Sequence, residues 1–509
     1  MNYLIGIDLG TSSTKTVLFD EVGNIIADSK IDYPMYTPHN GWAEQEPDDW
    51  ANAAVNTIAN VIKDSGVNKD DIKGIGISGQ MHGLVMLDED GKVIRPSIIW
   101  CDQRTGKECD EITEKVGAER LIEITANPAL TGFTASKILW VKNNEPENYA
   151  KCKHILLPKD YVRYVLTGEF ATEVSDASGM QLLDVPKRQW SDEVLEKLDI
   201  DKSMLAKVYE SCEVTGTITE EAAAKTGLST STVVVGGAGD NAAAAVGTGV
   251  VEEGMAFTTI GTSGVVFAHS KEVKIDPKGR VHTFCCAVPG EWHQMGVTQA
   301  CGYSLQWYLD NCGNSYAYDA EKTGEGIYDI IDREVLDTPI GSNKLIYLPY
   351  LNGERTPHLD PDCRGVFFGL SSMHKRSDMV RAVYEGMIYS LTDCKDVLDE
   401  MGVPINEMMA CGGGLKSVVK RQMLSDSFGV DVNTVTAKEG PALGVAILAG
   451  VGAGLYESVQ EACKKMIHKD PDNACTPNMD NNKEYDKYHA IYKKLYDDLK
   501  DSFKDMAKL

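Results

Sequence analysis

Apolar residues fall first into short runs near the start of the chain. Tyr3-Leu-Ile-Gly-Ile7 ends at Asp8, and Thr16-Val-Leu-Phe19 follows after a polar loop, Gly10-Thr-Ser-Ser13. The pattern predicts two buried strands joined by a hydroxyl-bearing tip, with a turn at Glu21–Asn24. Alanines and aliphatics at helical spacing over Asp48–Ile62, with acids in the first turn, predict a helix, and Ile72–Gly79 reads as another buried strand. Strands and helices alternate in this way to about residue 245, an α/β signature. The opening pattern then returns. Met255–Ile260, Gly261-Thr-Ser-Gly264 and Val265–Phe267 repeat strand, Gly-Thr-Ser loop and strand, pointing to a duplicated core rather than a short-period array. A long helix is expected over Ser377–Met401, capped by Ser377 and Asp378 and stopped by Gly402, with another after Gly412-Gly-Gly414. Tyr485, Tyr488, Tyr492, Leu495, Leu499, Phe503 and Met506 recur at three- and four-residue steps, the stripe of a terminal helix docked on the body.

The chain has 509 residues, too many for one core, and contains no low-complexity linker, so packed domains with a cleft between them are expected. Fifty basic and 76 acidic side chains give a net charge of −26. Such a surface repels nucleic acid and anionic membrane, yet backbone N–H groups can still hold one small phosphate chain. Thirteen cysteines without a CxxC pair, and an N-terminal segment that reaches Asp8 without a basic region, fit a reducing, cytoplasmic setting. The uncharged, Gly-rich run Pro441–Tyr456 has 16 residues, short of the roughly 20 a membrane span requires.

Four glycine/hydroxyl loops are candidates for anion contact: Gly10–Ser13, Gly236–Gly239, Gly261–Gly264 and Gly412–Gly414. None matches GxxxxGK[ST] or GxGxxG, which disfavours a Walker NTPase and a dinucleotide-binding fold. Two carboxylates accompany them. Asp8 ends an apolar strand, where a charge needs a cation or hydrogen bonds; Asp240 opens Asp240-Asn-Ala-Ala-Ala-Ala and reads either as an N-cap or as a ligand-facing acid. Gly79-Gln-Met-His-Gly83 and Trp100-Cys-Asp-Gln-Arg104 follow apolar strands, and Glu354-Arg355 reads as an internal ion pair bracing the Leu351–His358 loop at least as well as a catalytic pair.

These motifs, together with Phe133-Thr-Ala-Ser-Lys-Ile-Leu-Trp140, Leu157-Pro-Lys-Asp-Tyr161, Thr167-Gly-Glu-Phe170, Gly239-Asp-Asn-Ala242, Leu348–His358 and Gly365-Val-Phe-Phe-Gly-Leu370, resemble the FGGY family of carbohydrate kinases from residue 4 to about 455. The resemblance implies two ribonuclease-H-like α/β domains of the actin/hexokinase ATPase type with an interdomain cleft. It divides the chain into a sugar-binding domain (1–247), a nucleotide-binding domain (248–455) and a C-terminal helical extension (456–509). It implies Asp240 as catalytic base, Met81, His82, Asp240 and Asn241 as sugar contacts, and Asp8 beside a magnesium–phosphate group. Nucleotide contacts are implied at Thr11, Ser12, Lys15, Gly261, Thr262, Gly302, Gln306, Gly413, Gly414 and Ser417, the last standing where some relatives carry Asn. ATP and Mg2+ follow as expected cofactors, a small sugar as substrate, and a homodimer as an option the family often takes. Met81-His82 in place of the Arg-Glu of glycerol-specific members, and no evident basic residue near Met81 for a carboxylate, favour a neutral ketopentose, D-xylulose phosphorylated at O5. Gluconate and L-ribulose remain competing substrates. A non-catalytic sugar-binding regulator is a rival of another class, opposed by the presence of both Asp8 and Asp240. A chaperone-type ATPase would need a peptide-binding segment that residues beyond 455 do not supply.

Overall fold

The computed structural model describes residues 1–436 and 439–509. Two sheets of one plan organise them. In the first half, Tyr3–Leu9 pairs antiparallel with Ser13–Asp20, which pairs antiparallel with Ile25–Asp32; on its other side Tyr3–Leu9 runs parallel to Ile72–Gly79, and that strand to Val233–Val235. In the second half, Gly254–Ile260 pairs antiparallel with Gly264–Ser270, which pairs with Trp292–Thr298, and runs parallel to Ile405–Cys411, itself parallel to Asp431–Asn433. Third, second, first, fourth, fifth is the strand order in both. The chain is thus two α/β domains of the actin-ATPase plan, and the Gly-Thr-Ser echo marks equivalent hairpin tips. The third strand of the first half escapes the sequence reading because it lies at a sheet edge, with half-exposed residues on both faces.

Alternation along the first strand decides what each face meets. Ile5, Ile7 and Leu9 share a core with Trp50, Ala54, Ile58 and Val61 of helix Pro47–Ser65. Leu4, Gly6 and Asp8 point the other way, toward helix Gly440–Gly452. That helix sits directly on backbone. A Cβ at Gly6 would come within 1.8 Å of the Ala442 carbonyl, and one at Gly76 within 2.0 Å of the Val445 carbonyl. It also crosses helix Asp240–Gly247 closely, since a Cβ at Gly444 would lie 1.9 Å from the Ala243 carbonyl. A helix from late in the chain therefore seals the first sheet and carries its N-terminus toward Asp8 and Asp240.

Residues between Ile72–Gly79 and Val214–Thr217 build a separate core from Leu84 to Met204, into which Cys285 of the second half also packs. Helix Arg376–Glu400 backs the second sheet and ends before Gly402, at φ +69°. Its N-cap is Lys375, not Ser377: the Lys375 N–H donates to Asp378 Oδ2 at 2.7 Å, so Asp378 caps from inside the first turn. The terminal helix runs Met479–Ala507 and buries Tyr485, Tyr492, Leu495 and Phe503, while Met506 is exposed and lies beyond the packed stripe. No helix among the described residues is long and apolar enough to cross a membrane.

Candidate active site

The two hairpin tips are built alike. In the first, the Gly10 N–H donates to the Ser13 carbonyl (2.9 Å), and the loop carbonyls are drawn into the protein: Gly10 accepts from the Tyr33 hydroxyl, Thr11 from Gln45 Nε2 (2.7 Å), and Ser12 from the Tyr33 N–H (3.1 Å). Gln80 Nε2 holds Gln45 in turn (2.8 Å), and Trp100 Nε1 donates to Thr11 Oγ1 (2.9 Å). With its carbonyls turned inward, the tip leaves the N–H groups of Thr11 and Ser12 without a protein acceptor among the described residues. The second tip repeats this: Gly261 N–H to Ser263 O (2.9 Å), Tyr303 N–H to Thr262 O (3.1 Å), and N–H groups on Thr262 and Ser263 with no acceptor among the described residues. Paired free amides in a tight turn form an anion-binding concavity.

The Gly236–Gly239 loop differs, and the expectation that it too is an anion cradle is corrected. Its amides are committed to Glu213 O, Ser211 O and Ser175 Oγ at 2.9–3.1 Å. The glycines provide space instead: Gly237 has φ +72°, and a Cβ on Gly239 would lie 2.8 Å from Met81 Sδ.

Two acids stand close to one another in the first half. Asp8 sits inside the first strand, opposite Lys15 in the hairpin register. Burial and the nearby Asp240 push its carboxyl up to about 6 against a hydrogen bond from Ser78. Lys15, the facing ammonium, is engaged with Glu439 (2.7 Å) and Asp28 (3.4 Å). Asp240 is the first helical residue rather than the cap, which is Gly239; its Oδ1 accepts from the Asn241 N–H (2.7 Å) and Asn241 Nδ2 (2.9 Å). Burial raises Asp240 to about 6 in spite of those bonds. An oxygen donor set of this kind, with its negative charge desolvated and its nearest ammonium occupied, suits a hard divalent cation such as Mg2+.

Met81 packs under Gly239, beside Asp240. His82 takes φ +70°, and its carbonyl is pinned by Thr134 Oγ1 (3.1 Å) and the buried Lys137 Nζ (3.0 Å). Its ring lies against Phe133, with Nδ1 3.0 Å from the Gly179 carbonyl. Burial and Lys137 hold its pKa well below the usual range, so the ring is neutral, Nδ1 donates to Gly179 and Nε2 remains an acceptor.

A cavity of about 640 Å³ opens in the second half, and its lining brings together Gly261, Thr262, Gly302, Gln306, Gly413, Gly414 and Ser417. Gly302 is a close-approach position, since a Cβ there would lie 2.1 Å from the Gly261 carbonyl. Gln306 faces the cavity with its amide bonded to Asp310 (2.8 Å), and Ser417 Oγ caps the next helix by accepting the Lys420 N–H (3.2 Å). Thr11, Ser12 and Lys15 belong to the first tip, outside this lining.

Two family models, the N-terminal and C-terminal domains of the FGGY family of carbohydrate kinases, match residues 3–247 and 256–453. The chain belongs to the FGGY family. This kinase is 40% identical over 492 residues to the xylulose kinase of Lactococcus lactis, covering 96% of each chain. The crystal structure of a xyloylose kinase from Brucella ovis superposes with a TM-score of 0.90 at 35% identity, covering 98% of this chain and 99% of that one. A gluconate kinase from Lactobacillus acidophilus superposes with a TM-score of 0.91 at 28% identity, covering 99% of each. The family makes the protein a phosphotransferase.

Two sequence readings change on the carbohydrate-kinase frame. Glu354 and Arg355 do not form the expected ion pair: Glu354 Oε1 instead accepts the N–H groups of Gln299 (2.7 Å) and Arg355 (2.8 Å). The Arg355 guanidinium is free of hydrogen bonds among the described residues and lies close enough to His82 and His282 to add to the burial that lowers both. A basic group thus does stand near the Met81-His82 segment, brought there by the tertiary fold. Gln45 and Trp100, which fix the first tip, carry no local sequence signal because their partners lie 34 and 89 residues away. The one set of described residues at metal-ligand spacing, Asp393, Asp396 and His489, sits where the terminal helix docks, and Asp396 is already paired with Lys493 at 2.6 Å.

Proposed function

We propose that the protein transfers the γ-phosphoryl group of ATP to O5 of D-xylulose, with Asp240 as general base. The observation that carries this reading is a pair of buried acids, Asp8 and Asp240, both raised chiefly by burial, in a molecule with two hairpin tips whose amides have no acceptor among the described residues. Phosphoryl transfer needs positioning and charge neutralisation more than covalent help. At about 6, Asp240 is mostly ionised at neutral pH yet close enough to it to take and release the hydroxyl proton, a role worth about 10²–10⁴ in rate. Asn241 orients it, and Met81 and the neutral His82 Nε2 line the sugar's approach. The amides of Thr11, Ser12, Thr262 and Ser263 would hold phosphate oxygens. Asp8 would hold Mg2+, which when bound offsets charge on the phosphates. Lys15 serves the γ-phosphate only after leaving Glu439, so a nucleotide competes with that ion pair. Residues 1–247 then carry the sugar, 248–455 the nucleotide, and 456–509 pack on the body, Tyr456–Met466 against the first half and the terminal helix against the second. Thirteen unpaired cysteines support a cytoplasmic location.

The test is ADP release with D-xylulose, L-ribulose, D-gluconate and glycerol, for the wild type and Asp240→Asn. D-xylulose is expected to give the highest kcat/KM, and Asp240→Asn to lose at least a hundredfold in kcat while keeping ADP affinity. A fully active Asp240→Asn protein would overturn the base assignment. The gluconate reading has one observation in its favour, the uncommitted Arg355 guanidinium near His82. If a carboxylate is the natural partner of that group, Arg355→Met will abolish gluconate turnover and spare xylulose.

A further inference from the structure

The loop that delivers Asp240 has little of its own to hold it. Gly236, Gly237 and Gly239 carry no side chain, so hydrogen bonds have to fix the segment. Those bonds lead to a cluster of charges closed off from solvent. Lys159, Asp160 and Arg163 of helix Pro158–Thr167 meet Glu173, the last residue of strand Ala171–Glu173, and Asp176 in the short helix after it. None is more than 1% exposed. Lys159 Nζ stands 2.8 Å from Asp160, 3.3 Å from Glu173 and 3.4 Å from Asp176, and Arg163 Nη2 stands 2.6 Å from Asp160. Burying such groups is costly, and a well-packed apolar core of the same volume would serve stability as well or better. The proposed chemistry uses none of them.

The cluster reaches both ends of the loop. Arg163 Nη1 donates to the Gly236 carbonyl at 2.7 Å. At the other end the Gly239 N–H, one residue before Asp240, donates to Ser175 Oγ at 3.1 Å. Glu173 holds Ser175 in turn, accepting from its hydroxyl (2.9 Å) and its N–H (2.8 Å). Glu173 also accepts from the Asp176 N–H (2.9 Å) and from Ser211 Oγ (2.8 Å), and the Ser211 carbonyl takes the Gly237 N–H (3.0 Å). Two of the loop's amides thus trace back to one carboxylate, which this many donors and an adjacent ammonium hold in a single orientation. We propose that Ser175 is a positioning residue for Asp240: it passes the rigidity of the buried cluster to the Gly239 amide and so fixes the angle at which the base meets the sugar hydroxyl. The two bonds from Asn241 cannot do this, because they lie on the same helical turn and move with Asp240. A general base has to stand within hydrogen-bond reach of its proton, and a displacement of about 1 Å can cost roughly a hundredfold.

The inference rests on Asp240 being the base, and a double-mutant cycle keeps the two apart. The rate at saturating D-xylulose and ATP is measured for the wild type, Ser175→Ala, Asp240→Asn and the double variant. Ser175→Ala is expected to lower kcat by about tenfold in the wild-type background, with the KM for sugar within about threefold, and by less than about threefold where residue 240 is already Asn. Ser178→Ala is the control for a lost buried hydroxyl. Ser178 Oγ also accepts a backbone N–H at 3.1 Å, but from Cys285 rather than from the loop, and its residue is 1% exposed. Its kcat should stay within about threefold of wild type. Arg163→Lys keeps the charge, but an ammonium lacks the fork that spans Gly236 and Asp160; it goes through the same cycle and carries the test if Ser175→Ala does not fold. A fully active Asp240→Asn protein removes the base and this inference with it. If Asp240→Asn is crippled, yet Ser175→Ala costs less than threefold, costs the same in both backgrounds, or is matched by Ser178→Ala, only the positioning role is overturned.

Discussion

The two halves share a strand order and a hairpin tip, and differ at two positions that decide their chemistry. Two residues before the tip glycine stands Asp8 in the first half and Thr259 in the second. Opposite them across the hairpin stand Lys15 and Val265. One tip is therefore charged on both strands, and the other is neutral, with the same free amides. A duplicated scaffold gives two anion cradles. On the proposed reading, the carboxylate and ammonium make one of them a place where charge can be moved, while the other only binds. The surroundings follow suit: the first tip has the 84–204 insertion and Asp240 beside it, and the second has the apolar cavity.

The strongest way to break the contrast is to make the first tip resemble the second. Asp8→Thr is expected to lower kcat by about a hundredfold or more, because it removes the charge proposed to hold Mg2+ and leaves the amides. ADP affinity should stay within threefold, as measured by titration. Equal losses in binding and turnover would mean that the tips are not specialised in this way.

A smaller effect separates the halves by substrate. In the second, Gly302→Ala places a Cβ 2.1 Å from the Gly261 carbonyl and should push the helix off the tip. In the first, Gly179→Ala places one 2.3 Å from the His82 ring, on the sugar side. Displacements of this kind cost about tenfold or more. Gly302→Ala is expected to raise the KM for ATP and Gly179→Ala the KM for the sugar, each leaving the other KM within threefold. Steady-state kinetics with one substrate saturating reads this directly, and a rise of both KM values in either variant would contradict the division.

Much of this was legible in the sequence, for reasons that are local. Ile72–Gly79 is apolar apart from Lys73 and Ser78 because both faces are covered, and its limits are those the pattern predicts. The Gly-Thr-Ser tips stand out because a tight hairpin with free amides needs small residues in order. What sequence could not show depends on contacts between distant positions. The Gly236–Gly239 loop looks like the cradles, but its amides meet Glu213, Ser211 and Ser175. Glu354 and Arg355 are adjacent, yet backbone amides take the carboxylate and the guanidinium faces His82.

The smallest expected effect concerns how each tip is anchored behind its third strand. In the first half the residue after that strand, Tyr33, holds the tip through its hydroxyl and its N–H. In the second half the equivalent residue, Gln299, is held through its N–H by Glu354, which is 4% exposed and whose Oε2 has no partner among the described residues. Burial pushes the Glu354 carboxyl up to about 8 from an ordinary 4.5. The folded state therefore holds this proton more tightly than the unfolded chain, and between those values stability falls as pH rises, levelling off above about 8. From pH 7 to pH 9 the loss amounts to about 1 kcal/mol, a shift of a few degrees or less in Tm. Glu354→Gln removes the titration and should abolish that part of the decline, so the variant gains on the wild type as pH rises. Tyr33→Phe, which touches the anchor of the first half, should leave the slope unchanged over the same interval. Melting curves of the three proteins at pH 6, 7, 8 and 9 decide it. If Glu354→Gln keeps the wild-type slope, the alkaline sensitivity does not reside in the anchor of the second half.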